Sequence, residues 1–382
     1  MRASSGDYGS RYVRCDAPFT KGAEVTVDQT PILPGRLGQA DMQLKDDPRA
    51  DPRMVAAMEP YGLGVNAGPS PVNASTPIDA LLEYVGESEA GFEMLFGMLA
   101  ADQAPVAGVA RSVEIIRGID GNDITLYVHR PADSTGPLPG LLHLHGGGMV
   151  VLEAAGVGYA TWRDDLAAAG FVVVGVEFRN GGGKHGPYPF PAGLNDCTSA
   201  LRWMAANKAQ LGVSKIVVSG ESGGGNLTLA TTLRANRDGD IGAIDGVYAQ
   251  CPYISGAYAT PLPDLASLYE NDGYFLACDQ LGVLAKVYDP AGENSTNPLA
   301  WPYHATQADM TGLPPHVISV NQLDPLRDEG IAYYRMLVSA GVSAVSRTVN
   351  GTCHAGDCLF RAAMPDVYFS TIRDIKSFAD SL

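Results

Sequence analysis

A serine set among glycines, Gly220-Glu221-Ser222-Gly223-Gly224, follows the apolar run Lys215-Ile216-Val217-Val218-Ser219 and leads into a helical stretch. A strand that turns sharply into a helix at this point presents the serine hydroxyl on a strained elbow, and side chains at Gly220 or Gly224 would collide with neighbouring backbone. Ser222 is therefore the candidate nucleophile, with attack on a carbonyl as its chemistry. That attack produces an oxyanion. Upstream, Leu141-Leu142-His143-Leu144 reads as a buried strand opening into His145-Gly146-Gly147-Gly148, where glycines let backbone N–H groups approach the charge without steric cost. Gly147 and Gly148, with the N–H of Gly223 just after the serine, are the expected donors. A phosphate cradle is disfavoured: the chain contains no Gly-x-x-x-x-Gly-Lys-Ser/Thr pattern and no Gly-x-Gly-x-x-Gly helix opening with an acidic residue suitably downstream.

The base and its orienting acid follow from chain order, which for this elbow runs serine, acid, histidine. Of seven histidines, only His354 comes after the apolar run His316 to Asn321. It lies just past Ser343 to Val349, whose β-branched alternation reads as a strand, with Asn350-Gly351 as a turn. Asp324 is the first carboxylate beyond His316 to Asn321, and Asp328 is the second candidate. Pro325 disfavours helix at Asp324 and keeps it in the loop, whereas Asp328 and Glu329 suit the positive end of the next helix. Asp324 is thus expected to fix the histidine tautomer and stabilise the imidazolium.

Strand and helix signals alternate from about Ser112 onward, among them strands at Ile124 to His129, Gly140 to His145, Phe171 to Phe178, Gly246 to Cys251 and His316 to Asn321. Helical patterns at Pro191 to Leu211 and Gly223 to Arg237 lie between them. The alternation predicts an α/β fold with a mostly parallel, doubly wound sheet flanked by helices. Glycine loop, serine, aspartate and histidine each fall at the carboxyl end of a strand, the edge where such sheets gather ligands. Two regions break the pattern. Residues 1–110 hold helical candidates at Pro52 to Glu59 and Pro77 to Ala100; residues 254–313, inserted after the sixth strand, are rich in aromatic residues. Both are expected to form a cap over Ser222, leaving 111–253 and 314–382 as the catalytic domain. Met149, Tyr253, Tyr258 and Phe275 are the expected substrate-binding residues.

A formal charge of −16 argues against nucleic acid and anionic membrane as partners. No apolar run approaches membrane-spanning length, and Met1 to Tyr12 lacks a secretory apolar core, so a cytoplasmic location is expected. Six scattered cysteines without Cys-x-x-Cys spacing read as free thiols, with Cys353 a packing residue beside the base. No histidines group with carboxylates or cysteines at ligand spacing, so no metal is expected. A homodimer is the default from base rates.

Taken together, His145-Gly-Gly-Gly148, Pro189-Phe-Pro191 followed by Asp196, Gly220-Glu-Ser-Gly-Gly-Gly-Asn226, Asp324-Pro-Leu-Arg-Asp328 and His354 resemble the hormone-sensitive-lipase-like carboxylesterases of the α/β-hydrolase fold. The resemblance runs from about Leu33 to the C-terminus. It implies a Ser222–Asp324–His354 triad, an oxyanion hole at Gly147, Gly148 and Gly223, no cofactor, and activity on carboxylic esters or lactones. The chain departs from the usual pattern in Asn180-Gly-Gly-Gly-Lys-His-Gly186, in Ala355-Gly356 after the histidine, and in Glu221, where aspartate is commoner; Glu221 is expected to be buried and structural. The same family includes hormone receptors that lack the histidine and dehydratases that use the oxyanion hole for elimination. Acyl transfer to another acceptor shares the acyl-enzyme, so these readings stay open at the level of sequence.

Overall fold

The computed structural model describes residues 33–101 and 103–382; residues 1–32 of the expected N-terminal extension lie outside the described residues. Eight strands form one sheet: β1 (Val109–Arg117), β2 (Asp123–Pro131), β3 (Leu138–Leu144), β4 (Val172–Glu177), β5 (Val213–Glu221), β6 (Gly246–Gln250), β7 (His316–Leu323) and β8 (Ala344–Cys353). Their spatial order is β1-β2-β4-β3-β5-β6-β7-β8. From β4 across to β8 every neighbouring pair is parallel, and β2 runs antiparallel to both β1 and β4. The main helices are α1 (Pro52–Met58), α2 (Ile78–Ala100), α3 (Val157–Ala168), α4 (Ala192–Ala206), α5 (Gly223–Asp238), α6 (Cys278–Tyr288), α7 (Arg327–Ser339) and α8 (Pro365–Ser381).

The continuous apolar character of the central strands follows from burial on both faces. Successive side chains alternate between two cores. Leu142, Ile216, Val218, Val247 and Ile318 pack with α4, α5 and α7 on one face. Leu141, Val173, Val217, Tyr248 and Val317 pack with α3 and α8 on the other. The chain steps from β3 to β4 in one direction and then returns to lay β5 on the far side of β3. The carboxyl ends of β3 and β5 therefore flank a topological switch point, where a crevice opens outside the sheet.

Three local readings change in the structure. Val109–Arg117 is a strand of its own, exposed over most of its length at the sheet edge, so it carries no core-facing alternation to mark it. Asn350-Gly351 is not a terminal turn; β8 continues to Cys353, with Gly351 at φ +80° and a register shift against β7 between Asn321 and Leu323. A left-handed glycine at a bulge bends the strand without ending it. The helical pattern from Pro191 to Leu211 breaks at Asn207, giving α4 and a separate short turn, Lys208–Leu211.

Both regions outside the alternation are tied to the carboxyl edge of the sheet. In α1, Met54 and Met58 are buried with Tyr274, Leu323 and Cys353, and the Met54 sulfur accepts the N–H of Cys353 at 3.3 Å. The segment after β6 is held by Asn226, whose side-chain amide donates to the carbonyls of Tyr253 and Ala300, both at 2.9 Å. It is held again by Glu329 of α7, whose Oε1 accepts the Ile254 N–H and the Tyr258 hydroxyl, each at 2.7 Å.

Burial, only partly offset by these hydrogen bonds, lifts the Glu329 carboxyl from a usual 4.5 to about 8. Between those values the folded protein keeps a proton that the unfolded chain releases, so stability falls as pH rises across that window. Glu329→Gln removes this titration. Urea midpoints measured near about pH 5 and about pH 8 should separate less in the variant than in the wild type; an equal separation would assign the titration to another group.

Candidate active site

Ser222 sits between the end of β5 and the start of α5 at φ +59°, ψ −121°, a backbone conformation that L side chains rarely adopt. The turn is pinned on both sides: the Ser222 N–H donates to the Gln250 carbonyl at 3.0 Å, and its own carbonyl accepts from Tyr253 at 3.1 Å and Asn226 at 3.0 Å. The need for glycine is direct. A Cβ on Gly224 would lie 1.9 Å from the Leu144 carbonyl oxygen, and one on Gly220 would lie 2.3 Å from the same atom. Absence of those side chains lets α5 start against the end of β3.

That contact brings the elbow beside the glycine loop. Gly147 turns the chain at φ +101°, its carbonyl accepting from Val150 and Val151 at 3.0 Å each. Glu221, buried beside the serine, accepts the Gly146 N–H through Oε1 at 2.8 Å and meets His143 Nε2 through Oε2 at 3.2 Å. It acts as a structural clamp between the two loops. The backbone N–H groups of Gly147, Gly148 and Gly223 donate to no protein acceptor among the described residues. Backbone N–H groups left without an acceptor in a protein interior are uncommon, and these three lie in the two segments that border Ser222.

His354 follows β8, and its Nδ1 lies 2.8 Å from Asp324 Oδ2. Asp324 is fully buried, with Oδ1 accepting the Leu326 N–H at 2.9 Å. A carboxylate accepts there, so Nδ1 is the donating nitrogen and, in the neutral ring, Nε2 is the one with a lone pair. Asp328, the other candidate acid, instead accepts the Ser267 N–H at 2.8 Å at the start of α7. Ala355 takes the left-handed φ of +54°, the conformation a glycine would adopt at lower cost. Burial pushes the thiols of Cys251 and Cys353 up, which leaves these neighbours of the base protonated and unreactive.

Ser222 and His354 share the wall of a cavity of about 580 Å³ with Gly147 and Gly148. The remaining wall is largely apolar and comes from α2 and from the segment after β6, including Phe92, Phe96, Phe275 and Leu284. Phe92 meets Phe275 edge-on, with centroids 6.3 Å apart, joining these two regions. Of the expected substrate-binding residues, Tyr253 and Phe275 line the cavity. Tyr258 does not: it stacks on Tyr253 at 4.4 Å and commits its hydroxyl to Glu329. Met149 is also outside the wall, its side chain buried in the core of the sheet face. Phe92 and Phe96 were legible only as one face of a helix; their i, i+4 spacing puts them together, but no local signal aims that face at Ser222. Two groups of side chains distant in sequence come within ligand distance of one another, Cys251 with Asp324 and His354, and Glu153 with Glu177 and His185.

Residues 141–356 match the sequence pattern of a family with the α/β-hydrolase fold. The chain is 34% identical over 231 residues to the carboxylesterase NlhH of Mycobacterium tuberculosis, covering 59% of this chain and 69% of that one. It is 32% identical over 266 residues to an arylesterase of Saccharolobus solfataricus, covering 67% and 80%. Its fold is similar to that of brefeldin A esterase, a bacterial homologue of human hormone-sensitive lipase, with TM-score 0.89, 47% identity, and coverage of 91% of this chain and 98% of that one.

Gly224→Ala tests the elbow's packing. A methyl 1.9 Å from a backbone oxygen cannot be absorbed by side-chain motion. Chemical denaturation should show a loss at or beyond the upper end of roughly 1–3 kcal/mol, whereas Ser222→Ala, which adds no atoms, should unfold like the wild type.

Proposed function

Since this chain belongs to the α/β-hydrolase family and is a carboxylesterase of its hormone-sensitive-lipase-like branch, we propose that it cleaves a bulky, largely apolar carboxylic ester or lactone through an acyl-enzyme on Ser222. The observation that carries this reading is the set of unpartnered N–H groups at Gly147, Gly148 and Gly223, next to a serine that shares its cavity with an aspartate-bound histidine.

In the proposed mechanism, His354 Nε2 takes the proton of Ser222 as Oγ attacks the ester carbonyl. The glycine N–H groups stabilise the resulting oxyanion, and Asp324 stabilises the imidazolium. Collapse of the tetrahedral intermediate breaks the bond to the alcohol oxygen, which takes its proton from His354. Water then attacks the acyl-enzyme by the same sequence of proton transfers and releases the acid. The described residues carry each of these proton transfers without a metal or an organic cofactor being called upon.

On this reading, residues 111–253 and 314–382 are the catalytic domain, and the N-terminal region with 254–313 forms the cap that excludes water and sizes the substrate. A cavity of about 580 Å³ suits a compact ring or a branched acyl group. Among the described residues no helix is long and apolar enough to cross a membrane, and the described cysteines are free thiols; both fit the proposed cytoplasmic location.

Initial rates on p-nitrophenyl esters of rising acyl length, followed by macrocyclic lactones, test the proposal. Ser222→Ala should lower turnover by about six orders of magnitude. Asp324→Asn should lower it by about four, because the amide favours the wrong histidine tautomer. Undiminished hydrolysis in Ser222→Ala would remove the serine from the mechanism; ligand binding without turnover in the wild type would favour a receptor.

A further inference from the structure

We propose that Glu153, Glu177 and His185 form a binding site for one divalent transition-metal cation of the zinc type, located behind the glycine loop and bordered by the buried imidazole of His145. The ligands come from separate turns of chain: Glu153 from the loop after the glycine run, Glu177 from the end of β4, and His185 from the loop beyond it. One ligand atom of each lies within 4.8 Å of the others. His185 Nε2 is 3.5 Å from Glu153 Oε2 and 3.8 Å from Glu177 Oε1. These separations exceed direct hydrogen bonds, which run about 2.7–3.2 Å. They resemble the edge of a coordination tetrahedron, about 3.4 Å when ligands sit at roughly 2.1 Å from the ion.

An independent observation points to the same gap. His145 is fully buried, and its Nδ1 contacts the Gly146 carbonyl at 2.8 Å, so that nitrogen donates and Nε2 carries a lone pair. Nε2 has no partner among the described residues, yet it faces Glu177 Oε1 at 3.8 Å. Two acceptors opposed in a dry site repel, and a cation between them removes the conflict.

Two cations stand nearby, and Arg163 Nη1 is buried without a partner among the described residues. Lys184 pairs with Glu93 and stands 3.9 Å from Glu153. Arg163 donates to the Ala154 carbonyl at 2.7 Å and contacts His129 Nε2 at 3.3 Å. Neither is hydrogen-bonded to Glu177, which is oriented by the N–H groups of Ala154 and Ala155 at 2.8 and 3.1 Å. Imidazole combined with carboxylate favours zinc-like ions over magnesium or calcium. Glu153 and His185 are part-exposed, which gives the ion a route from solvent. None of the three side chains lines the cavity that holds Ser222, so the ion would brace the glycine loop from behind without occupying the substrate's place.

Calorimetric titration of the tag-free protein with Zn²⁺ alone, together with the absorption spectrum after Co²⁺ loading, tests the site. One ion per chain is expected, with d–d bands of a low-coordinate site. Glu153→Gln and His185→Ala, both part-exposed positions, should weaken binding at least about tenfold and lose those bands. Their metal-free ester turnover should match the wild type's, and their melting temperatures should no longer rise with Zn²⁺. Binding that survives both substitutions overturns the proposal and would place the ion at Cys251, Asp324 and His354, where it would inhibit turnover. A wild-type chain that takes up no Zn²⁺ overturns it too, leaving the space between His145 and Glu177 to water.

Discussion

The approach of α5 to the end of β3 is the contact on which the rest of the site depends. Gly224 allows it, because the Leu144 and His145 carbonyls occupy the space where a side chain would stand. With the helix start at that depth, the strained Ser222 is carried to the loop of Gly147 and Gly148, and Glu221 reaches the Gly146 N–H. Move α5 outward by the width of a methyl and the serine, the glycine N–H groups and the clamp separate together. A packing constraint between backbone atoms thus sets the geometry of the candidate site, ahead of any side-chain hydrogen bond.

Around that contact the protein spends several buried carboxylates on positioning. Asp324 orients His354, Glu221 ties the glycine loop to the elbow, and Glu329 holds the start of the segment after β6. Each is nearly or fully buried, and each accepts at least one backbone N–H. Buried carboxylates are costly unless such donors meet them, but a carboxylate offers several acceptor sites and can fasten two segments at once. Glu329 shows the cost, since its second oxygen finds no partner among the described residues and burial raises its proton affinity. Arg179 and Asp196 repeat the device in an ion pair at the sheet's carboxyl edge, where Asp196 also accepts the Arg179 N–H at 2.9 Å.

The elbow, the glycine loop and the acid–base pair were legible because each is coded locally. Glycine marks a backbone conformation or a close approach, and Pro325 separates the loop residue Asp324 from Asp328 and Glu329 at the start of α7. The parallel sheet was legible from apolar runs alternating with helical ones. Less was readable where side chains meet across the fold. Tyr253 and Tyr258 look alike in sequence, yet only Tyr253 faces the cavity, because Tyr258 is drawn to Glu329 in the layer behind it. The bulge at Gly351 was hidden for a similar reason: whether an Asn-Gly pair ends a strand or bends it depends on the partner strand, here β7.

The sequence by itself determined the fold class and picked out the elbow serine, the glycine loop and the Asp324–His354 pair as candidates in chain order, since local backbone chemistry and hydrophobic period suffice for these. The tertiary structure alone decided which faces of α2 and of the segment after β6 line the cavity, that Phe92 meets Phe275, and that Glu153, Glu177 and His185 converge beside an unpartnered His145. Those associations join residues from separate loops and helices through packing against a common sheet. No spacing along the chain encodes them, because the distances that matter are set by how the layers close on one another.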